Sequence, residues 1–235
     1  MMAIGVPATV NMAKTLGITS PIFPNYASAL GASDVTLMEL TRAYSAFPND
    51  GKLIEPVLID RIEDRDGRVL VENRPRSQQV ITPQTAETMT RLLMGVVERG
   101  TATRVQVLGR PMGGKTGTTN KTRDAWFIGF TPSLVTGTWV GMDDERSLGP
   151  KETGSQAAAP IFITYMKEAL KGTPVEQFPG VSSTLLAKRD GEEIAADDEV
   201  PAQAEETFYP EEEVLKERTS TPQATSQQFF KNDLD

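Results

Sequence analysis

Gly109-Arg110-Pro111-Met112-Gly113-Gly114-Lys115-Thr116-Gly117-Thr118-Thr119 fits two unrelated chemistries. Its first eight residues match G-x-x-x-x-G-K-[ST], a loop whose backbone amides and lysine cradle phosphate. Residues 115–117 read Lys-Thr-Gly, an ammonium and a hydroxyl beside a residue without a side chain, which suits acyl transfer at a serine. On the first reading Lys115 binds a nucleotide. On the second it stands beside a serine that becomes acylated.

Composition narrows the field. The 235 residues contain no His and no Cys. A Ser-His-Asp triad, a histidine general base, a disulfide and a thiolate metal site are therefore excluded, and no cofactor is expected. The net charge of −8 is an average over two unlike parts. Residues 180–235 hold 5 Lys and Arg against 14 Asp and Glu, and the rest holds 19 against 18. A nearly neutral body offers no basic footprint for nucleic acid. No apolar run approaches the roughly 18–20 residues that cross a bilayer, and Met1-Met2-Ala3-Ile4-Gly5 lacks the basic start of a signal peptide.

The elements that must position Lys115 follow from pattern. Pro7 to Leu16 predicts a short helix closed by Gly17, and Thr19 to Gly31 predicts a loop. Thr36-Leu37-Met38-Glu39 is a capping box, followed by Leu37, Leu40, Tyr44 and Phe47 at helical spacing. Val57 to Glu63 and Arg68 to Val71 flank Asp64-Arg65-Asp66-Gly67 and predict a hairpin. Thr82-Pro83 opens a helix that runs through Met89, Leu93 and Val96 to Gly100. Arg104 to Leu108 reads as a short strand.

Beyond it the chain turns β-branched and aromatic. The Lys-Thr-Gly segment, Ala125 to Phe130 and Leu134 to Met142 predict a three-strand antiparallel meander, with Thr131-Pro132-Ser133 as the second turn. Trp126, Phe127, Phe130 and Trp139 are its expected apolar content. Ala157 to Leu170 predicts a closing helix whose Ile161, Tyr165 and Leu170 cover one sheet face. From about residue 179 the chain is acidic and poor in apolar residues, which predicts a disordered tail over 179–235 behind a folded part over 1–178. Phe208-Tyr209 and Phe229-Phe230 are its candidate docking points.

A phosphate loop needs a buried strand before it and a helix after it, because the helix N-terminus supplies the amides. Gly117-Thr118-Thr119-Asn120-Lys121-Thr122 has no helical period and several poor helix formers. The element order also lacks the repeated βαβ of a parallel sheet. On a strand, by contrast, Lys115 alternates with Thr116 and Thr118, and Gly117 lets a substrate backbone approach.

Three stretches carry a resemblance: Gly113 to Thr119, Asp124-Ala125-Trp126-Phe127-Ile128-Gly129-Phe130-Thr131-Pro132, and Val140-Gly141-Met142-Asp143. With Tyr44-Ser45-Ala46-Phe47, the Ile62-Glu63-Asp64 hairpin ending in Asn73, and Gly95 to Thr101, they resemble the end of the transpeptidase domain of class A penicillin-binding proteins. The likeness runs from about Val6 to Gly172. It implies an α+β class: a partial β-lactamase/transpeptidase-like fold, with an antiparallel sheet packed against helices and a small hairpin beside it. Lys151-Glu152-Thr153-Gly154 looks like a second copy of the motif, but its place in a loop marks it as coincidence.

The resemblance implies peptidoglycan cross-linking. A Ser-x-x-Lys serine attacks the D-Ala-D-Ala carbonyl of one stem peptide and the acyl group passes to an amine of another; β-lactams acylate the same serine. Lys115 would hydrogen-bond the serine of a Ser-x-Asn motif and support proton transfer. Thr116 and Thr118 would bind the carboxylate of stem peptide or β-lactam, Gly117 would admit the substrate, and the Thr118 amide would give half the oxyanion hole. No serine of this chain precedes a lysine by three residues, and no Ser-x-Asn occurs. Both motifs are expected upstream of Met1, with the glycosyltransferase domain and the N-terminal anchor that would hold the parent at the periplasmic face of the inner membrane. The chain alone is expected to be inactive. The rival readings are a non-catalytic penicillin- or peptide-binding module and, more remotely, the P-loop protein.

Overall fold

Strand and helix signals beside Lys115 become, in the computed structural model, a sheet with a helix on each face; residues 4–180 are described. Past Gly180 the acidic segment expected at 179–235, with both of its aromatic pairs, lies outside the described residues. The fold is α+β, as expected. Strands β5 (Gly113–Thr118), β6 (Asp124–Phe130) and β7 (Val135–Gly141) form the antiparallel meander β5-β6-β7. Thr131 closes the second turn, its amide donating to the Leu134 carbonyl at 2.9 Å and its hydroxyl accepting from the Leu134 amide at 3.1 Å.

The register assigns the faces, because residues directly opposite in an antiparallel pair share one. Thr116 lies opposite Phe127 and Thr118 opposite Ala125, whereas Lys115 lies opposite Ile128 and Gly117 opposite Trp126. Helix α4 (Ala159–Ala169) covers the Phe127 face, with the Phe127 and Phe162 rings in edge contact at 4.7 Å. Helix α2 (Leu37–Ser45) covers the other, its Leu37 and Thr41 lying against Gly137 of β7. A Cβ on Gly137 would stand 2.1 Å from Thr41 Oγ1, so the glycine is what lets α2 seat.

Two expectations about apolar surface are corrected. On α4 the buried stripe is Ala159, Phe162, Ile163 and Met166, while Ile161 and Tyr165 are 52% and 53% exposed. At 3.6 residues per turn, positions 161 and 165 fall on the stripe about 100° away from 162 and 166. Leu170 is buried as expected. In the sheet, Phe127 and Phe130 are fully buried, but Trp139 is 41% exposed and Trp126 half-buried. The two indoles meet at 6.2 Å on the α2 side.

Helix α3 (Pro83–Arg99) flanks β5, capped by the Thr82 hydroxyl and burying Ala86, Thr90, Leu93 and Val97. The expected strand at Arg104–Leu108 is a 3-10 helix, Thr103–Leu108, that buries Val105 under the sheet's apolar cluster. A second 3-10 turn, Tyr26–Leu30, interrupts the predicted loop after α1 (Val6–Thr15). The hairpin is shorter than expected, β2 (Arg61–Glu63) against β3 (Val69–Glu72). A further pair, β1 (Lys52–Ile54) with β4 (Ser77–Gln79), went unforeseen, because three-residue strands separated by the hairpin leave no period to read. After α4 the chain doubles back, and Phe178 inserts beside Phe130 with ring centroids 5.7 Å apart.

The capping box of α2 is larger than its sequence signature. Besides the Thr36 amide, the Glu39 carboxylate accepts from the amides of Thr19 and Ser20, both at 2.7 Å, and from both their hydroxyls. The hydroxyls of Ser20 and Thr19, with the Thr36 amide, hold its carboxyl well below the usual carboxylate range. A depressed folded value contributes stability above the unfolded value near 4.3 and loses it as pH falls. Glu39→Gln is expected to cost about 1–2 kcal/mol at pH 7, modest for charged hydrogen bonds because water reaches the carboxylate. Thermal melts should show the gap between variant and parent closing below about pH 4; a gap constant with pH would disprove the anionic staple.

Candidate active-site wall on strand β5

Strand β5 is an edge strand, paired to β6 and, among the described residues, to no other strand. Its composition follows from what it must pack against. A Cβ on Gly113 would meet the Phe130 ring at 2.4 Å, and one on Gly114 would meet the Phe127 ring and the Ile128 carbonyl oxygen at 3.0 Å. The paired glycines let both phenylalanines lie across the strand, which holds the backbone of Lys115 at a fixed height above the core. Gly117 has the same office toward Trp126, whose Cβ would lie 3.1 Å from an added Cβ.

After Thr116 come two more residues of the same strand and then a three-residue 3-10 turn, Asn120–Thr122. Before the strand stands the 3-10 helix, not a buried strand. The phosphate-loop reading therefore fails on geometry: Lys115 stands on a strand, with no helix N-terminus built from the residues after it. Arg110 belongs elsewhere too. Its guanidinium donates to the Thr173 hydroxyl at 3.0 Å and the Leu170 carbonyl at 3.4 Å, capping the end of α4.

The site residues divide between the two faces of β5. Lys115 is exposed on the Trp126 side, its ammonium donating to the Thr116 carbonyl at 2.8 Å. Thr116 and Thr118 project on the α4 side, where each has a partner that pattern did not reveal. The Thr116 hydroxyl lies 2.7 Å from the Thr101 hydroxyl, just past the end of α3. The Thr118 hydroxyl accepts from the Gly154 amide at 3.1 Å. Gly154 opens a π-helical turn, Gly154–Ala158, leading into α4, and a Cβ there would lie 2.5 Å from the Gly117 carbonyl oxygen and 2.3 Å from that of Trp126. Single-turn π segments concentrate at functional sites. The loop motif Lys151 to Gly154 is thus no second wall; its glycine buttresses the first.

At the far end of the strand, Asp124 ties the β5–β6 turn. Its amide donates to the Thr119 hydroxyl at 2.7 Å and its carboxylate accepts from Trp139 Nε1 at 2.9 Å. The result is a stiff edge strand presenting an ammonium, two hydroxyls and a glycine, flanked by a half-exposed indole pair. Such an edge can pair with an extended peptide while the ammonium favours an anion.

The profile of the penicillin binding protein transpeptidase domain matches residues 18–167. The chain belongs to that family. Penicillin-binding protein 1A of Aquifex aeolicus is 38% identical over 196 residues, covering 83% of this chain and 27% of that protein. The Neisseria meningitidis serogroup B protein of the same name is 38% identical over 179 residues, 73% of this chain and 22% of that one. Among solved structures, penicillin-binding protein 1A from Haemophilus influenzae superposes with a TM-score of 0.70 at 33% identity, covering 74% of this chain and 32% of that one. PonA1 from Mycobacterium tuberculosis in complex with penicillin V gives 0.63 at 27% identity, with 73% and 52% covered. This transpeptidase-family chain therefore spans about a quarter of the length of the curated relatives named here. No helix among the described residues is long and apolar enough to cross a membrane.

Proposed function

We propose that β5 is one wall of the acyl-serine site of a peptidoglycan D,D-transpeptidase. The observation that carries this is Lys-Thr-Gly on an exposed edge strand of a transpeptidase-family chain. Lys115 supports proton transfer to and from the attacking serine through a second serine. Thr116 and Thr118 hold the terminal carboxylate of a stem peptide or β-lactam, Gly117 admits the substrate backbone, and the Thr118 amide stabilises the oxyanion. The nucleophile and its lysine come from outside these 235 residues, as do the anchor and the periplasmic placement of the parent. Losing the nucleophile removes the covalent intermediate, and positioning alone does not replace it.

The chain alone is accordingly expected to take no label from fluorescent penicillin after denaturing electrophoresis, while a protein joining it to the upstream serine is labelled. A covalent band on the chain alone would overturn the assignment. A second reading is a module that binds penicillin or peptide without reacting. Saturable, reversible binding of penicillin to the chain alone, with no label on the longer protein, would establish that one instead.

A further inference from the structure

We infer that Thr101 is a positioning residue for Thr116, setting which way its hydroxyl donates. The inference rests on the acyl-serine reading of β5. The two hydroxyl oxygens are 2.7 Å apart, and a threonine hydroxyl has one proton to give and two lone pairs to receive. When Thr101 donates to Thr116, the proton of Thr116 is left free for an incoming carboxylate. When the direction reverses, Thr116 spends its proton on Thr101 and turns a lone pair toward the anion. An arriving carboxylate selects the first arrangement, so the pair is a two-step relay of donors ending at the substrate.

The local backbone holds Thr101 for this work. Gly100 and Ala102 both donate to the Val96 carbonyl, at 3.1 and 3.2 Å, folding the chain tightly over the end of α3. A Cβ on Gly100 would sit 2.9 Å from Val96 backbone atoms, so the tight fold needs glycine. Ala102 on the other side is fully buried, and Val97 is nearly so. Thr101 is thus an exposed residue pinned between two fixed points, with its hydroxyl aimed at β5. Supporting hydroxyls of this kind keep a contacting group within the narrow geometry that function needs.

The test compares Thr101→Val, Thr101→Ala and Thr101→Ser in the protein that contains both this chain and the upstream serine. Acylation rates are measured with a penicillin and with the same penicillin as its carboxylate methyl ester, alongside thermal melts. Valine and alanine are expected to slow the free acid about 2- to 12-fold, the worth of the neutral hydroxyl pair that orients Thr116. They should leave the ester rate and the melting temperature near those of the parent, and serine should restore the acid rate to within about twofold. Equal slowing of acid and ester, or no slowing at all, would overturn the inference while leaving the acyl-serine reading intact. A parent protein that takes no acyl group would overturn both.

Discussion

Replacing Lys115 with alanine, in the protein that joins this chain to its nucleophilic serine, is expected to slow acylation by penicillin about 100- to 10,000-fold. The fold should not notice. Lys115 is exposed, and its ammonium reaches only as far as the Thr116 carbonyl, so truncation removes no core contact and should change stability by less than about 0.5 kcal/mol. On the proposed reading the rate, in contrast, loses the charge that would shift a proton between hydroxyls in the transition state. Arginine keeps the charge on a bulkier, planar and far less acidic group, and should recover only part of the rate. Stopped-flow acylation beside a thermal melt separates the two effects. A rate within about threefold of the parent would remove Lys115 from the machinery.

Gly154→Ala should do the opposite, striking stability and rate together. The added methyl would stand 2.3 and 2.5 Å from two carbonyl oxygens of β6 and β5, and backbone cannot step aside as a flexible side chain can. Overpacking of this kind costs about 1–3 kcal/mol, and each kcal/mol lowers the melting temperature of a chain this size by about 2–4 °C. The relief route pushes the π-helical turn off the sheet, which breaks the bond from the Gly154 amide to Thr118 and loosens the strand at Gly117. Acylation should fall with the melt. Ser155→Ala, one residue along, is the control and should leave both unchanged. A Gly154→Ala protein that melts with its parent would show that the loop has room this structure does not give it.

How far the sequence carried depends on the range of each signal. The capping box at Thr36, the Asp66-Gly67 turn and Pro83 at the start of α3 are local, and each formed where its residues said. The meander was legible because a threonine-rich run and two apolar runs follow one another closely, with Thr131-Pro132-Ser133 between the last two. Lys115, Thr116, Gly117 and Thr118 were legible as a motif. Their partners were not, since Thr101 lies 15 residues away and Gly154 lies 36 away, joined by packing that no period records. The same blindness put Ile161 and Tyr165 on the covered face of α4: composition gives a helix its apolar residues, but only the neighbours decide which stripe is turned inward. Thr103–Leu108 had alternating valines that suit a strand, but it folds as a 3-10 helix closed by Gly109 in the left-handed region.

Lys115 and Thr116, adjacent in the chain, hang from opposite sides of one narrow ribbon of backbone. Any roll of that ribbon about its long axis swings the ammonium one way and the hydroxyls the other, like the two pans of a balance. The π-helical turn leans on the Thr118 hydroxyl and the Gly117 backbone, and the indole pair lies on the lysine's side. On the acyl-serine reading proposed above, a substrate that pulls on the threonines would tilt the lysine without touching it, and torsion of a single strand would set the angle between charge and anion.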